Sequence, residues 1–439
     1  MVDVAIVAAL TAMCTEPGIC GPGGGGFLAV DIPGRDPVVI DGYMAYPGLG
    51  FDGEPFVREV SMSYGGGVTT LVDAGSIAVP GVFAGLSLAS EMFGRAPWAL
   101  VLNAVADAVA DGFPLSVPSF SYLNEGAAPI YSSDPVARDV LFVGGGSHPQ
   151  GDTILFPGLA DTLRHIGREG ARSFYEGDLA KAIVDDLAPR GSRLTRADME
   201  SYVAVASEPL IGRLHHWRLA HNPEPAIGGV TVKRVLDLVD GAGVADWAAA
   251  LIQAFEERRA AGLRSPSTIS VAAADADGGV VAGSFSAGYG SGIIPKGTGM
   301  LMNNALGELE LVNGPGVPGG RLPSNMAPTV GRSGDDAVAV GSPGADRITT
   351  AVATTLLRLA EGESLQQSID YPRLHPEFGD FGVRLAAEPG QDLDGVGYEI
   401  RTFDRPHMYF GGVNGAAFRD GHLQAHADPR RTGSVAFTA

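Results

Sequence analysis

Apolar residues run almost unbroken from Val2 to Cys14, a pattern that predicts a helix buried all round. Phe27–Ile32 reads as a short strand. Helical spacing then recurs between glycine-rich breaks, over Gly81–Phe93, Trp98–Ala110, Phe156–Glu169, Gly177–Leu187, Val230–Val239 and Trp247–Ala261. Thr195 stands three residues before Asp198, the start signal of a short capped helix over Ala197–Tyr202. At Ser267 the character changes. Ile269–Ala274 and Val280–Ala287 are strand-like, and Asp275-Ala276-Asp277-Gly278-Gly279 between them marks a hairpin turn. A strand over Met300–Asn303 is expected next. A second hairpin follows, with Thr329–Arg332 and Ala337–Val340 around Ser333-Gly334-Asp335-Asp336. A helix over Arg347–Glu361 comes after it. Strands near Gly382–Leu385, Tyr398–Phe403, Asn414–Phe418 and Leu423–Ala427 close the chain. Residues 314–320, with Pro315 and Pro318, read as a surface loop. Helices and strands come in blocks with few βαβ units, so the pattern predicts α+β layers, not a doubly wound sheet.

Composition narrows the function. The chain of 439 residues carries 30 Lys and Arg against 50 Asp and Glu, a net charge of −20. That argues against a nucleic-acid partner, which needs clustered cations. No apolar run reaches the length of a membrane span, so no membrane partner is expected. The apolar N-terminus lacks a basic flank and a small-residue cleavage site, and Glu16-Pro17-Gly18 reads as a helix ending. A core helix and a cytoplasmic protein are the expectation. Two cysteines, Cys14 and Cys20, build no disulfide framework and read as buried thiols.

Metal and nucleotide signals are weak. The nine histidines hold no HExxH. His215-His216, read as strand residues, would point to opposite faces, and the stretch around His422 and His426 looks extended. No metal and no cofactor are called for. Gly21-x-Gly23-x-x-Gly26 matches the dinucleotide fingerprint letter by letter. The order here is helix then strand, the reverse of what that motif needs, so it reads as a tight turn. No GxSxG elbow supports an α/β-hydrolase, which leaves a serine nucleophile at Ser286 or Ser342 without a motif.

Hydroxyl chemistry near Thr268 remains. Thr268 begins the first strand of the hairpin and stands seven residues before Asp275-Ala276-Asp277-Gly278. This stretch resembles the γ-glutamyltranspeptidase family, whose catalytic threonine keeps that spacing. The resemblance runs on in order along the chain. It is carried by Val2-Asp3-Val4-Ala5 through Gly23–Phe27, Ala78-Val79-Pro80-Gly81, Ala96-Pro97-Trp98, Gly112-Phe113-Pro114, Ser173–Gly177, Gly341–Arg347 and Asp428–Arg431.

The resemblance implies a four-layer αββα sandwich of the N-terminal-nucleophile hydrolase type. It implies self-cleavage at Ser267–Thr268 into segments 1–267 and 268–439, which together form one composite domain and stay associated as a heterodimer. The freed α-amine of Thr268 would serve as the base for its own hydroxyl. Gly344 and Ala345 match the oxyanion-hole pair. Ser324 and Asn325 match residues that hold the substrate carboxylate, Ser286 matches the threonine that assists the nucleophile, and Glu308 matches the acid that grips the glutamyl amine. The expected partner is a small carboxylated substrate. A γ-glutamyl compound such as glutathione is one reading. Another is a non-glutamyl hydrolase, as in antibiotic pathways that cleave a C–C bond in a 4-alkylproline precursor, and a third is a non-catalytic relative. Departures bear on that choice. The family's carboxylate-binding arginine has no counterpart in Asp41–Pro47, its glutamine appears as Ala305, its asparagine as Ala287 or Gly288, and Thr268 is followed by Ile269-Ser270. The chain is also shorter than the family's, by some 40 residues before its first residue and roughly 50 between the Ala254-Phe255 helix and Thr268.

Overall fold

Three separate apolar layers dictate four layers of structure. The computed structural model describes residues 1–63, 67–241, 243–260, 268–309 and 316–437. One sheet contains β1 (Gly25–Asp31), β2 (Val38–Gly42), β3 (Val205–Ser207), β6 (Ile269–Ala274) and β7 (Val280–Ser286), in the order β6-β7-β1-β2-β3. The other contains β4 (Leu210–Leu214), β5 (Trp217–His221), β8 (Thr329–Ser333), β9 (Asp336–Gly341), β10 (Asn414–Arg419) and β11 (His422–Ala427), in the order β4-β5-β8-β9-β10-β11. Every neighbouring pair in both sheets is antiparallel.

Strand alternation sorts the side chains. On β1, Leu28 and Val30 join the core under the N-terminal helices, whereas Phe27 and Ala29 face the other sheet. On β7, Val281 and Phe285 go to the helices and Val280 and Ala282 to the centre. On β9, Val338 and Val340 face outward to the second helical layer and Ala337 and Ala339 inward. The central layer is rich in alanine, which lets the sheets approach closely.

Helices α1 (Val2–Thr15), α2 (Val82–Phe93), α3 (Trp98–Val109) and α4 (Leu159–Glu169) form the layer on the first sheet. Helices α5 (Ile227–Leu238), α6 (Val244–Ala260), α7 (Arg347–Ala360) and α8 (Leu365–Asp370) cover the second. Among the described residues, no helix is long and apolar enough to cross a membrane.

Most elements lie where the sequence pattern puts them, and three readings need correction. Met300–Asn303 is not a strand; Met302 makes one isolated bridge to Gly23, and Asn303 pins the segment by donating to the Gly23 and Ala78 carbonyls. His215 and His216 are not strand residues but the turn between β4 and β5, with His215 at φ +50°. Helix α4 starts at Leu159, not Phe156, because Gly158 before it sits at φ +85°. The Thr195–Asp198 capping box is present and opens a helix over Arg196–Ser201. Cys14 and Cys20 are buried free thiols, each pushed up to about 12 by burial.

Candidate active site

The β6–β7 hairpin positions the candidate nucleophile. Ile269 pairs with Phe285, so one further step of the register sets Thr268 opposite Ser286. Alternation fixes their faces. Ile269 and Val271 pack under the helices, so Thr268, Ser270 and Ala272 turn to the space between the sheets, as do Ser284 and Ser286 on β7. Thr268 is 2% exposed and Ser286 4% exposed, so both hydroxyls lie in a site closed to bulk water.

The second sheet closes the site from across the gap. A Cβ on Gly341, the last residue of β9, would stand 3.2 Å from the Ser270 Cβ. Asn414, paired with Gly341, donates from Nδ2 to the Ser270 carbonyl at 2.9 Å and to its Oγ at 3.0 Å. Ser342-Pro343-Gly344-Ala345 follow Gly341 and lead into α7. Gly344 has φ +132° and Ala345 φ +59°, conformations that turn the backbone away from regular structure. A Cβ on Gly344 would meet the Gly411 Cα at 2.8 Å. Ser342 Oγ donates to the Pro343 carbonyl at 2.8 Å and accepts from the Gly412 N–H at 3.1 Å, so this hydroxyl holds the loop and is not poised as a nucleophile.

Charged groups brace the far side of that loop. Arg347 donates from Nη1 to Asp346 at 2.6 Å and from Nε to the Tyr409 carbonyl at 3.1 Å. Buried His375 bonds Thr350 Oγ1 at 2.9 Å, and burial pushes its pKa down. Farther along, Arg373 pairs with Asp428, and Arg430 pairs with Glu388 at 2.6 Å and Asp428 at 3.2 Å, all deeply buried. The Asp428–Arg431 motif thus acts as a clamp. Asp428 also accepts from the Val413 N–H at 2.9 Å, which fixes the turn that Gly344 packs against.

A second polar group gathers beside Ser286. Ser286 Oγ accepts from the Gly288 N–H at 3.0 Å. Any side chain on Gly288 would collide with Asn304 and with the Glu308 carboxylate, so Glu308 lies against this turn. Burial, followed by the nearby Glu308 charge, pushes the Tyr43 hydroxyl far above its ordinary pKa, and Ser324 hydrogen-bonds that hydroxyl. Asn325 follows at 1% exposure, and among the described residues neither its Oδ1 nor its Nδ2 has a hydrogen-bond partner.

Of the sequence-derived candidates, Thr268 and Ser286 share one end of the β6–β7 hairpin, Glu308 lies against the Gly288 turn beside Ser286, Ser324 lies at Tyr43 with Asn325 next in the chain, and Gly344 and Ala345 follow β9, whose last residue faces Ser270. Ser267 lies outside the described residues. Sequence reasoning missed Tyr43, which links Ser324 to Glu308, and Asn304, whose Oδ1 accepts from the Tyr289 N–H at 2.7 Å and whose Nδ2 holds Thr70 and Leu71. The sequence signal for Tyr43 is the segment Asp41–Pro47, which lacks the family's arginine and carries this tyrosine. Among the described residues, no group of three or more His, Cys, Asp or Glu could hold a metal ion.

A four-layer αββα sandwich of this kind is the fold of N-terminal-nucleophile hydrolases. The crystal structure of cephalosporin acylase from Bacillus halodurans superposes with a TM-score of 0.80 at 21% identity, covering 99% of this chain and 91% of that one. A sequence profile of the family Gamma-glutamyltranspeptidase matches residues 1–257 and 242–438, and the chain belongs to that family. It is 26% identical to Scoloptoxin SSD14 of Scolopendra dehaani, covering 99% of this chain and 88% of that protein. It is 24% identical to the glutathione hydrolase proenzyme of Pseudomonas aeruginosa, covering 98% of this chain and 89% of that protein.

Proposed function

We propose that the chain is a self-processing N-terminal-threonine hydrolase or acyltransferase acting on a small amide or acyl substrate. The observation that supports this reading is the position of Thr268: immediately before β6, buried, and one register step beyond the Ile269–Phe285 pair, which sets it opposite Ser286.

In processing, Thr268 Oγ attacks the carbonyl carbon of residue 267, and the peptide C–N bond breaks as the ester forms. Water then hydrolyses that ester, leaving a carboxylate on residue 267 and a free amine on Thr268. The products are segments 1–267 and 268–439, which remain one composite domain as a heterodimer. In turnover, the hydroxyl proton passes to that amine, whose reference pKa of roughly 7.7–8.0 leaves part of it neutral near pH 7. The substrate carbonyl oxygen becomes an oxyanion facing the N–H groups of Gly344 and Ala345, donors already fixed by the folded loop. The amine returns the proton to the leaving group as the C–N bond breaks. Water, or an acceptor amine, then takes the acyl group from Thr268. Ser286 assists the nucleophile, and Glu308, Ser324 and Asn325 bind the acyl portion.

A γ-glutamyl compound fits Glu308, whose carboxylate would hold its amine. A non-glutamyl substrate is favoured by Tyr43, since Asp41–Pro47 supplies no arginine to take a carboxylate. Turnover of γ-glutamyl-p-nitroanilide by wild type and Thr268→Ala tests the reading. Release of nitroaniline by wild type alone supports the Thr268 acyl-enzyme; equal release by both sinks it.

A further inference from the structure

The Gly344-Ala345 backbone is held by a segment far along the chain. Gly344 at φ +132° and Ala345 at φ +59° lie outside regular structure, and such conformations persist only where the surroundings enforce them. The enforcing contacts come from residues 408–412. Ser342 Oγ accepts from the Gly412 N–H at 3.1 Å, and Arg347 Nε donates to the Tyr409 carbonyl at 3.1 Å. A Cβ on Gly411 would stand 2.8 Å from the Pro343 carbonyl oxygen, and one on Gly344 would stand 2.8 Å from the Gly411 Cα. The two segments are in backbone contact, so a shift of one is passed to the other.

Tyr409 anchors the second segment. Its hydroxyl donates to Glu377 Oε1 at 2.6 Å, and its ring stacks on Phe403 at 5.4 Å. Glu377 also accepts from Arg384 at 2.6 Å and from Arg401. Burial raises the Glu377 pKa, but the Tyr409 hydroxyl and these two arginines outweigh it and hold the carboxyl below its ordinary range. Glu377 is therefore an anion that only accepts, and its bond from Tyr409 is of the strong, charge-assisted kind. The Arg347 guanidinium lies 4.8 Å from the Tyr409 ring centre, so the same side chain backs the first residue of α7. Arg373 and Arg431 hold the neighbouring Phe410 and Met408 carbonyls, so the turn outlasts the loss of one side-chain bond. Glu377 and Tyr409 both lie outside the motifs that carry the family resemblance.

We infer that Tyr409 is a positioning residue for acyl transfer: tied to Glu377, it fixes residues 408–412 and through them the Gly344 and Ala345 N–H donors. This rests on the reading of those donors given above and adds the device that aims them.

The test is Tyr409→Phe, which keeps the ring and removes one hydrogen bond. Amide hydrogen exchange, followed by mass spectrometry, compares residues 342–347 with α1 as the internal reference. Exchange over 342–347 should rise about 10-fold while α1 is unchanged, the scale of one hydrogen bond to a charged group. Glu377→Ala should match Tyr409→Phe, the double variant should be no worse than either, and Glu377→Gln, which keeps an acceptor, should restore most of the protection. With γ-glutamyl-p-nitroanilide, kcat of Tyr409→Phe should fall about 10-fold at unchanged KM, because only the transition state uses the donors. Unchanged exchange over 342–347, an equal rise in α1, or a raised KM at unchanged kcat would overturn the inference. Failure of Thr268 as nucleophile would show as equal nitroaniline release by wild type and Thr268→Ala, whereas the exchange measurement needs no turnover and decides the Tyr409 link alone.

Discussion

Thr268 stands opposite Ser286, one register step beyond the Ile269–Phe285 pair at the edge of the first sheet. The pairing follows from antiparallel register, and the common face follows from strand alternation. Ser286 Oγ accepts from the Gly288 N–H, which fixes its side chain. Replacing it with alanine should keep the fold and lower kcat/KM about 10²-fold, the scale of one positioned proton-transfer partner. Steady-state kinetics on Ser286→Ala beside an unchanged circular dichroism spectrum checks this; full activity would remove Ser286 from the site.

Gly344 and Ala345 should respond in opposite ways. Gly344→Ala meets Gly411 and keeps an unsuitable φ, so it displaces the loop; kcat should fall about 10²–10³-fold, as when an oxyanion donor is lost. Ala345→Gly relieves a left-handed alanine and keeps the N–H donor, so activity should persist. Comparing kcat for the two variants decides whether the loop acts through its backbone.

The buried clamp should set stability, not chemistry directly. Asp428 bonds Arg373, Arg430 and the Val413 N–H with both partners sealed from water. Asp428→Ala leaves buried Arg373 without its carboxylate partner, while Arg430 keeps Glu388, and should cost about 3–5 kcal/mol in denaturant unfolding. A loss below about 0.5 kcal/mol, the size of an ordinary surface substitution, would contradict the clamp.

Acid should destabilise the fold through His221. Burial, then Lys233, pushes its pKa down to about 3, with Nδ1 against Thr329 Oγ1 at 3.0 Å. The unfolded chain takes a proton below about pH 6.5 while the folded chain does not, so stability is full above that value and falls as pH drops toward 3. At pH 5 the loss from this one group is about 2 kcal/mol. His375, also pushed down, adds the same sign. Denaturant midpoints at pH 7.5 and 5.0 should converge in His221→Gln relative to wild type; an identical drop in both would rule His221 out.

Much of this arrangement was written locally. The hairpin of Ile269–Ala274 carries its own turn signal, and Thr195 with Asp198 writes its own cap. The run from Gly21 to Gly26 reads as a turn because a helix precedes it; any side chain on Gly24 would strike the Ser286 carbonyl, so the run lets β1 reach the nucleophile's strand. What was not legible depends on distant partners. Met300–Asn303 has strand-like residues, but Asn303 spends its amide on Gly23 and Ala78, more than 200 positions away. Strands β4 and β5 were missed because adjacent His215 and His216 hide a tight turn. Tyr43 looks like an ordinary core aromatic, stacked on Phe27 at 5.2 Å, and only its contacts with Ser324 and Glu308 give it a place in the site.

The most direct test of the central claim is intact-mass measurement with N-terminal sequencing of the purified wild-type protein beside Thr268→Ala. The account predicts two wild-type chains, the smaller beginning Thr-Ile-Ser-Val, and one uncut 45.1 kDa chain in the variant. A wild-type chain that stays whole, or a cut that persists unchanged in Thr268→Ala, would contradict it.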